Sequence, residues 1–329
     1  MRVQAFSRRC VLAAAMLTSF AGAASAQAPA FPSRPIHLVI PAPPGGSTDT
    51  LGRILAKVLQ DQVNVPVVVD NRPGAAGSIG VLATVNAVPD GYTILLSVPD
   101  AVVVYPLLNK KATYRFDRNL TPITLVAKTH MMFAVNGKSP VKTIADLAAL
   151  SKAEPGKLTY STPGGGTSGH LSMEYMKYKA GIDMLHVPYK GAGPAMLAVV
   201  SGETTITATS PASLRPFIAS GQLRAIAVAK ETRTEILPQV PTTAESGYPD
   251  FIIPAWFGVF APAGVKPDIA AKLNDMMLAA TRSPEFAKQA TTLGLEVEPA
   301  SLGDFGKQIA RESDTWRQLI TTANITMDE

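Results

Sequence analysis

The sequence predicts an α/β protein of two lobes, with mostly parallel sheets that carry helices on both faces and a hinge between the lobes. Short apolar runs rich in β-branched residues recur along the chain and alternate with segments of helical spacing. The runs are almost continuously apolar, which is typical of strands buried on both faces. Two such series, separated near residues 127–139, favour two sheets rather than one.

The first series begins with a strand at 36–40, closed by Pro41 and followed by apolar residues at helical spacing from Leu51 to Leu59. A second strand at 66–70 precedes the turn residues 71–74 and a helix of small residues from Gly77 onward. A third strand covers 92–97. In the second series we predict strands at 158–161, 185–187, 205–208 and 224–229, with helices between them through Met173 and Met196.

Two further helices, near 268–280 and 302–322, form a C-terminal block that we assign to the first lobe. Lobe 1 is therefore expected to comprise residues 27–128 with 254–329, and lobe 2 residues 129–253. With this assignment the chain crosses twice between the lobes, and two crossings make a hinge.

Residues 1–26 have the three parts of a secretory signal peptide: the basic residues Arg2, Arg8 and Arg9, an apolar stretch at 11–24, and a small-residue cleavage site at 24–26. The general secretory route is favoured, and the paired arginines leave the twin-arginine route open. No later stretch approaches the ~20 apolar residues of a membrane span.

Removal of this segment changes the charge and the cysteine content of the 329-residue chain. It lowers 30 basic residues to 27 against 25 acidic ones, a net charge of +2, and it removes Cys10, the single cysteine. So small a charge gives no reason to expect nucleic acid. The mature chain has no disulfide, no thiolate nucleophile and no cysteine metal site, and its four histidines lack metal-ligand spacing, so we expect neither metal nor cofactor.

Two turns carry most of the functional signal. The segment 43–49 (PPGGSTD) lies between the first strand and its helix, where glycines permit close backbone approach and hydroxyls join the donors of the helix N-terminus. No lysine follows, so it is not a nucleotide P-loop. A plain helix cap, with Asp49 in the first turn, is the structural alternative. The segment 161–170 (STPGGGTSGH) repeats this design, and two such turns in opposite lobes could clamp a dianion.

The second turn also matches the dinucleotide pattern, with Gly164, Gly166 and Gly169 at the required spacing. The acid that would hold the ribose is poorly placed at Asp183, and an exported protein has little access to nicotinamide cofactors. A dehydrogenase is therefore disfavoured. A hydrolase is disfavoured as well, because no nucleophile and base stand at a recognisable spacing.

The chain resembles the Bug family, the extracytoplasmic solute receptors of tripartite tricarboxylate transporters. The resemblance covers essentially the whole mature chain and rests on segments that occur in the family's order: FPSRPI at 31–36, PPGGSTD at 43–49, DNRPGAAG at 70–77, DGYT at 90–93, VPYKG at 187–191, VPTTAESG at 240–247 and APAG at 261–264.

The resemblance implies a type II-like periplasmic binding fold, without enzymatic activity, that closes on a small carboxylate and delivers it to membrane permease subunits. A periplasmic sensor that presents the carboxylate to a membrane signalling partner stays open as the alternative. We expect a monomer. The predicted ligand-binding residues are Gly46, Ser47, Thr48, Asp49, Ser97, Asp100, Ala101, Gly165, Gly166, Thr167, Ser168, His170, Tyr189 and Ser210.

Two departures from the family concern the ligand. The strand end at 205–210 (TITATS) lacks the acid that is usual there, and the stretch 97–101 (SVPDA) differs from the commoner version rich in serine and threonine. With Asp49 taken as the acid of the cleft and engaged at its own helix, no acid remains to pair a buried ammonium group. We therefore expect carboxylates without an amino group.

Overall fold

Two five-stranded sheets form the framework of the computed structural model, which describes residues 31–253 and 255–326. The predicted signal peptide at 1–26 lies outside the described residues. The described residues from 34 onward belong to one compact unit. The strands are β1 (Ile36–Ile40), β2 (Val67–Asn71), β3 (Thr93–Ser97), β4 (Leu120–Thr129), β5 (Met132–Asn136), β6 (Thr159–Thr162), β7 (Leu185–Pro188), β8 (Ile206–Thr209), β9 (Leu223–Val228) and β10 (Ala255–Pro262).

The helices cover both faces of this framework. They are α1 (Ser47–Val63), α2 (Ser78–Val85), α3 (Tyr105–Leu108), α4 (Phe116–Asn119), α5 (Ile144–Ala153), α6 (Ser168–Ala180), α7 (Ala192–Ser201), α8 (Pro211–Ala219), α9 (Pro267–Thr281), α10 (Pro284–Thr292) and α11 (Leu302–Thr322). In the described part of the chain, no helix combines the length and the apolar character needed to cross a membrane.

The two sheets have the same internal plan. Their strand orders are β2-β1-β3-β10-β4 and β7-β6-β8-β5-β9. In the first sheet β1 pairs in parallel with β2 and β3, and in the second β6 pairs in parallel with β7 and β8. β10 then runs antiparallel between β3 and β4, as β5 does between β8 and β9.

The prediction of a two-lobed α/β fold is confirmed, but the sheets are mixed rather than mostly parallel. The difference comes from β4, β5 and β10, which the strand-helix alternation did not reveal. β4 leaves the first sheet and β5 enters the second after only His130 and Met131, while the return from β9 to β10 spans residues 229–254. β5 and β10 each arrive from the other sheet and need no crossover helix, so both can insert antiparallel between two strands that are already in place.

Close packing at two glycines explains how the helices reach the sheets. A Cβ on Gly169 would come within 2.7 Å of the Ala208 carbonyl oxygen, so only glycine lets the first turn of α6 approach β8 this closely. A Cβ on Gly258 would lie 2.2 Å from the Phe305 ring, which brings α11 onto β10. Trp256 and Phe305, both buried, meet edge to face with ring centroids 5.4 Å apart.

Candidate functional site

A cavity of about 690 Å³ lies where the parallel strands of both sheets end. The loops after β1, β2 and β3 and those after β6, β7 and β8 all contribute to its wall. In sheets of this order, the crevice outside the carboxyl ends of the strands, at the point where the connections change direction, is the usual ligand site. The described lining residues are Pro41, Ala42, Pro43, Gly46, Ser47, Thr48, Pro73, Gly74, Ala75, Ala76, Gly77, Val98, Pro99, Asp100, Ala101, Thr129, Met131, Pro163, Thr167, Ser168, Gly169, Tyr189, Lys190, Gly191, Ala192, Ala208, Thr209, Ser210, Ala255, Trp256 and Phe257.

The first glycine turn is held from behind by Asp49. Asp49 Oδ2 accepts a hydrogen bond from the Gly45 backbone N–H at 2.9 Å and from Arg53 Nε at 3.0 Å. Asn71 Nδ2 donates to Asp49 Oδ1 at 2.9 Å and also contacts the Ala42 carbonyl oxygen at 3.1 Å. Asp49 is only 3% exposed, and it fixes the turn that precedes α1.

The electrostatics of Asp49 follow from these contacts. Burial opposes its ionisation, but hydrogen bonds from Arg53, Gly45 and Asn71 outweigh that effect and hold the pKa of Asp49 below its ordinary value of 3.8. The carboxylate is therefore ionised and engaged at neutral pH.

The N-terminus of α1 faces the cavity without a side-chain cap. Its N-cap residue, Gly46, provides no capping side chain, and Gly46, Ser47 and Thr48 all line the cavity. The first turn of an α-helix has backbone N–H groups that lack partners within the helix. These donors, the two hydroxyls and the helix dipole make this end of the cavity suitable for an anion.

The second glycine turn is built on the same plan with different chemistry. Gly166, at φ +74°, donates its backbone N–H to His170 Nδ1 at 3.1 Å. Thr167 caps α6 by accepting from His170 N–H at 3.3 Å, and its own hydroxyl donates to the Gly164 carbonyl oxygen at 2.8 Å. The His170 ring stacks on His186, with centroids 4.2 Å apart. His170 therefore supports the turn from inside lobe 2.

Asp100 and Ser168 connect the two sides of the cavity. Asp100 follows β3, and Ser168 is the first residue of α6. The Ser168 hydroxyl donates to Asp100 Oδ1. Burial raises the pKa of the Asp100 carboxyl, while the hydrogen bonds from Ser168 act in the opposite direction. The contact joins a loop that follows a strand of the first sheet to a helix that follows a strand of the second.

Two other predicted residues reach the cavity with their side-chain oxygens already engaged. The Tyr189 hydroxyl donates to Glu203 Oε1 at 2.7 Å, and this bond raises the pKa of Tyr189 to about 12. Ser210 is the N-cap of α8, and its Oγ accepts from the Ser213 backbone N–H at 3.4 Å.

The structure brings nine of the fourteen predicted site residues to the cavity wall: Gly46, Ser47, Thr48, Asp100, Ala101, Thr167, Ser168, Tyr189 and Ser210. Asp49, Ser97, Gly165, Gly166 and His170 are not part of that wall. Asp49 and His170 lie behind the turns that they brace, and Ser97 is fully buried within β3. The premise that Asp49 is the acid of the cleft is therefore wrong, because Asp100 occupies that position.

Most of the apolar wall is not among the predicted site residues. Met131 lies between β4 and β5, and Ala255 to Phe257 are the first residues of β10. These residues therefore reach the cavity from strands that the sequence did not predict. The loop at 73–77 belongs to the segment DNRPGAAG that resembles the Bug family, but its sequence does not mark it as part of the site. Its Ala75 and Ala76 have φ of +46° and +52°, a left-handed conformation that is costly for residues other than glycine and is often found at ligand sites.

The described residues contain no group of three or more histidine, cysteine, aspartate or glutamate side chains arranged to hold a metal ion. What the cavity does offer is an uncapped helix N-terminus, several hydroxyls, one acid, one lysine and a largely apolar surface. This combination suits a small organic anion with a hydrocarbon body.

Comparisons with known proteins agree with the fold. Over 301 residues the chain is 36% identical to protein BugT of Bordetella pertussis, and the match covers 90% of this chain and 92% of BugT. The periplasmic binding protein BugD superposes with a TM-score of 0.82 at 30% identity, covering 91% of this chain and all of BugD.

Two solved relatives contain carboxylates. The R. palustris protein Rpa4515 with adipate has a TM-score of 0.85 at 30% identity, over 91% of this chain and all of that one. MatC from Rhodopseudomonas palustris with bound malate has a TM-score of 0.81 at 27% identity, over 88% of this chain and all of MatC.

The fold, the cavity and these likenesses define a periplasmic solute-binding protein, which is not an enzyme. Residues 51–325 match the tripartite tricarboxylate transporter family receptor, and the chain belongs to that family. The resemblance to the Bug family stated from the sequence is thereby confirmed.

Proposed function

We propose that this protein binds a small carboxylate between its lobes in the periplasm and delivers it to the permease subunits of a tripartite tricarboxylate-type transporter. The observation that carries the proposal is the cavity of about 690 Å³, onto which the uncapped N-terminus of α1 opens. The adipate and malate bound by two relatives support a carboxylate ligand.

In this proposal the ligand carboxylate binds at Gly46, Ser47 and Thr48. Backbone N–H groups and hydroxyls donate to it, and the dipole of α1 stabilises its charge. Lys190, the basic residue of the described wall, supplies a positive charge from the opposite lobe. The hydrocarbon part of the ligand packs against the apolar wall near Met131 and Phe257.

The predicted site residues divide into two roles in this proposal. The nine that line the cavity meet the ligand, whereas Asp49, Gly166 and His170 keep the two turns in place. We retain the predicted lobes, 27–128 with 254–329 and 129–253, and a monomer. Transport is favoured over sensing by the family to which the chain belongs.

Binding by closure can be tested on the mature chain, residues 27–329, freed of ligand by mild unfolding and refolding. Titration calorimetry with a panel of mono-, di- and tricarboxylates should give one saturable site, and small-angle scattering should show a smaller radius of gyration at saturation. Stabilisation by the ligand should follow mass action, about 2.7 kcal/mol at 100 times Kd. Absence of binding across the panel would refute the proposal, and binding without compaction would refute closure.

Native mass spectrometry of freshly purified protein would name a retained ligand directly. Delivery requires a separate measurement, namely uptake of the labelled ligand by cells that lack the chain and by the same cells after complementation. Uptake that is identical in both, with normal expression, would separate binding from transport and favour the sensor.

A further inference from the structure

Asp100 is the acidic residue of the described cavity wall, and the structure gives it a specific partner. Its Oδ1 accepts from the hydroxyl of Ser168, at the N-terminus of α6, and the Ser168 backbone also donates to it. A helix N-terminus attracts anions through its free N–H groups and its dipole. Asp100 therefore occupies the position at α6 that a carboxylate of the ligand would otherwise take.

The N-terminus of α1 provides the contrast. Its N-cap, Gly46, has no side-chain capping bond, whereas α6 is capped by Thr167 and contacted by Asp100. Thr48, nine-tenths buried, lines the cavity at this end. Of the two glycine turns, only the one before α1 thus remains for a carboxylate of the ligand.

We propose that Asp100 determines which carboxylates bind, by selecting ligands that carry a hydroxyl or ammonium donor in addition to the carboxylate at α1. This inference rests on the proposed function. A donor from the ligand can pair with Asp100, which keeps acceptor capacity beyond its bond to Ser168. A second carboxylate in the same place would find the Ser168 donors already taken by Asp100 and would face the Asp100 oxygens in a desolvated site.

Asp100 reverses the ligand preference expected from the sequence. That expectation assumed that no acid in the cleft was available to an ammonium group. Because Asp100 lines the cavity and Asp49 does not, aspartate-like and malate-like ligands become the favoured class.

Two ligand triads isolate the donor, because their members differ only in carrying hydrogen, hydroxyl or ammonium on the same carbon. They are succinate, malate and aspartate, and 3-phenylpropionate, phenyllactate and phenylalanine. Calorimetry on the wild type should show the hydroxyl or ammonium member of at least one triad binding about tenfold or more tightly than its unsubstituted member, as expected for a hydrogen bond to a charged group.

The variants D100A and D100N should change this ratio in different ways. D100A should bring the members of the triad within about twofold of one another, while D100N should remove the preference for ammonium and retain part of that for hydroxyl, since the amide oxygen still accepts. D100A should also bind succinate more tightly than the wild type does, because α6 is freed for the second carboxylate. D250A, which removes an exposed acid outside the described wall, should behave as the wild type.

Mere damage to the fold cannot produce the gain in succinate affinity. A preference that survives in D100A, or a wild type that favours the unsubstituted members, would overturn the inference while leaving the proposed function intact. If no carboxylate binds, the proposed function fails, and inorganic sulfate then tests Asp100 separately: D100A must be stabilised by sulfate in a thermal-shift assay more than the wild type is, or the inference fails too.

Discussion

His170 Nδ1 accepts the backbone N–H of Gly166 at 3.1 Å, and this contact has a counterpart in the other lobe. There Asp49 Oδ2 accepts the backbone N–H of Gly45 at 2.9 Å, again from four residues further along the chain. The two glycine turns are thus stabilised in the same way, one by an imidazole and the other by a carboxylate. The carboxylate also pairs with an arginine, Arg53.

We predict that His170→Ala destabilises the protein and weakens ligand binding, and that His170→Asn does so less. Alanine leaves the Gly166 N–H without its acceptor and removes a ring that stacks on His186, which together should cost about 2–3 kcal/mol. The asparagine oxygen can accept the same bond. Urea unfolding and calorimetry of both variants check this, and equal affinities for the two would show that the bond does not position the turn.

Asp49 predicts a dependence of stability on pH. Its pKa is lowered in the folded state, so its contribution is fully present above the unfolded value of 3.8 and is lost as pH falls through the folded value. Asp49→Asn should therefore be less stable than the wild type by about 1 kcal/mol at pH 7, since Arg53 is partly exposed and screened. The gap should close below about pH 4.

Urea unfolding between pH 3 and pH 7 measures this gap, with D250N as the control for removal of an exposed acid. A gap that stays constant over the whole range would mean that Asp49 acts through packing rather than through its charge.

The predictable parts of the fold are those encoded by neighbouring residues. The segments 43–49 and 161–170 each combine a preceding strand, glycines, hydroxyls and a following helix, and the structure has a turn and a helix at both. β10 shows why other parts were missed. Its residue Val259 pairs with Thr124, far away in the sequence, and Gly258 interrupts the apolar run that would have indicated a strand.

The position of the site residues likewise depends on contacts between segments that are far apart in the sequence. Glycines and hydroxyls near a helix start could be found from the sequence, and nine of the predicted residues do line the cavity. Whether Asp49 or Asp100 faces that cavity depends on partners from distant segments: Asn71 and Arg53 hold Asp49 behind the turn, while Ser168 meets Asp100 across the cavity. Long-range pairings of this kind leave no local pattern.

We predict that the mature chain begins at or near Gln27 and is recovered from the periplasm without firm membrane attachment. The reason is the three-part architecture of residues 1–26. N-terminal sequencing of the periplasmic fraction should find Gln27, and Arg8→Lys with Arg9→Lys should leave export unchanged if the general secretory route is used. An intact Met1 in that fraction would contradict the assignment, and blocked export of the lysine variant would indicate the twin-arginine route.

The contribution of the second glycine turn to ligand affinity can be tested by mutation. Replacement of Thr167 and Ser168 together by alanine removes the cap of α6 and the hydroxyl that contacts Asp100. These bonds hold the turn and Asp100 rather than the ligand itself, and each is worth roughly 0.5–1.5 kcal/mol, more when the acceptor is charged. Because their loss releases Asp100 from its position on the cavity wall, affinity for a carboxylate that pairs with Asp100 should fall about tenfold or more. Loss of a cap also destabilises the helix, by about 1 kcal/mol, so a matched control is needed.

Thr143→Ala provides that control, because Thr143 caps α5 through the Asp146 N–H at 3.0 Å and is not part of the described cavity wall. It should lose a similar amount of stability and keep its affinity. Calorimetry and urea unfolding of both variants separate the two effects. If the double variant binds as tightly as Thr143→Ala does, Thr167 and Ser168 serve only to cap the helix, and recognition rests on the turn before α1.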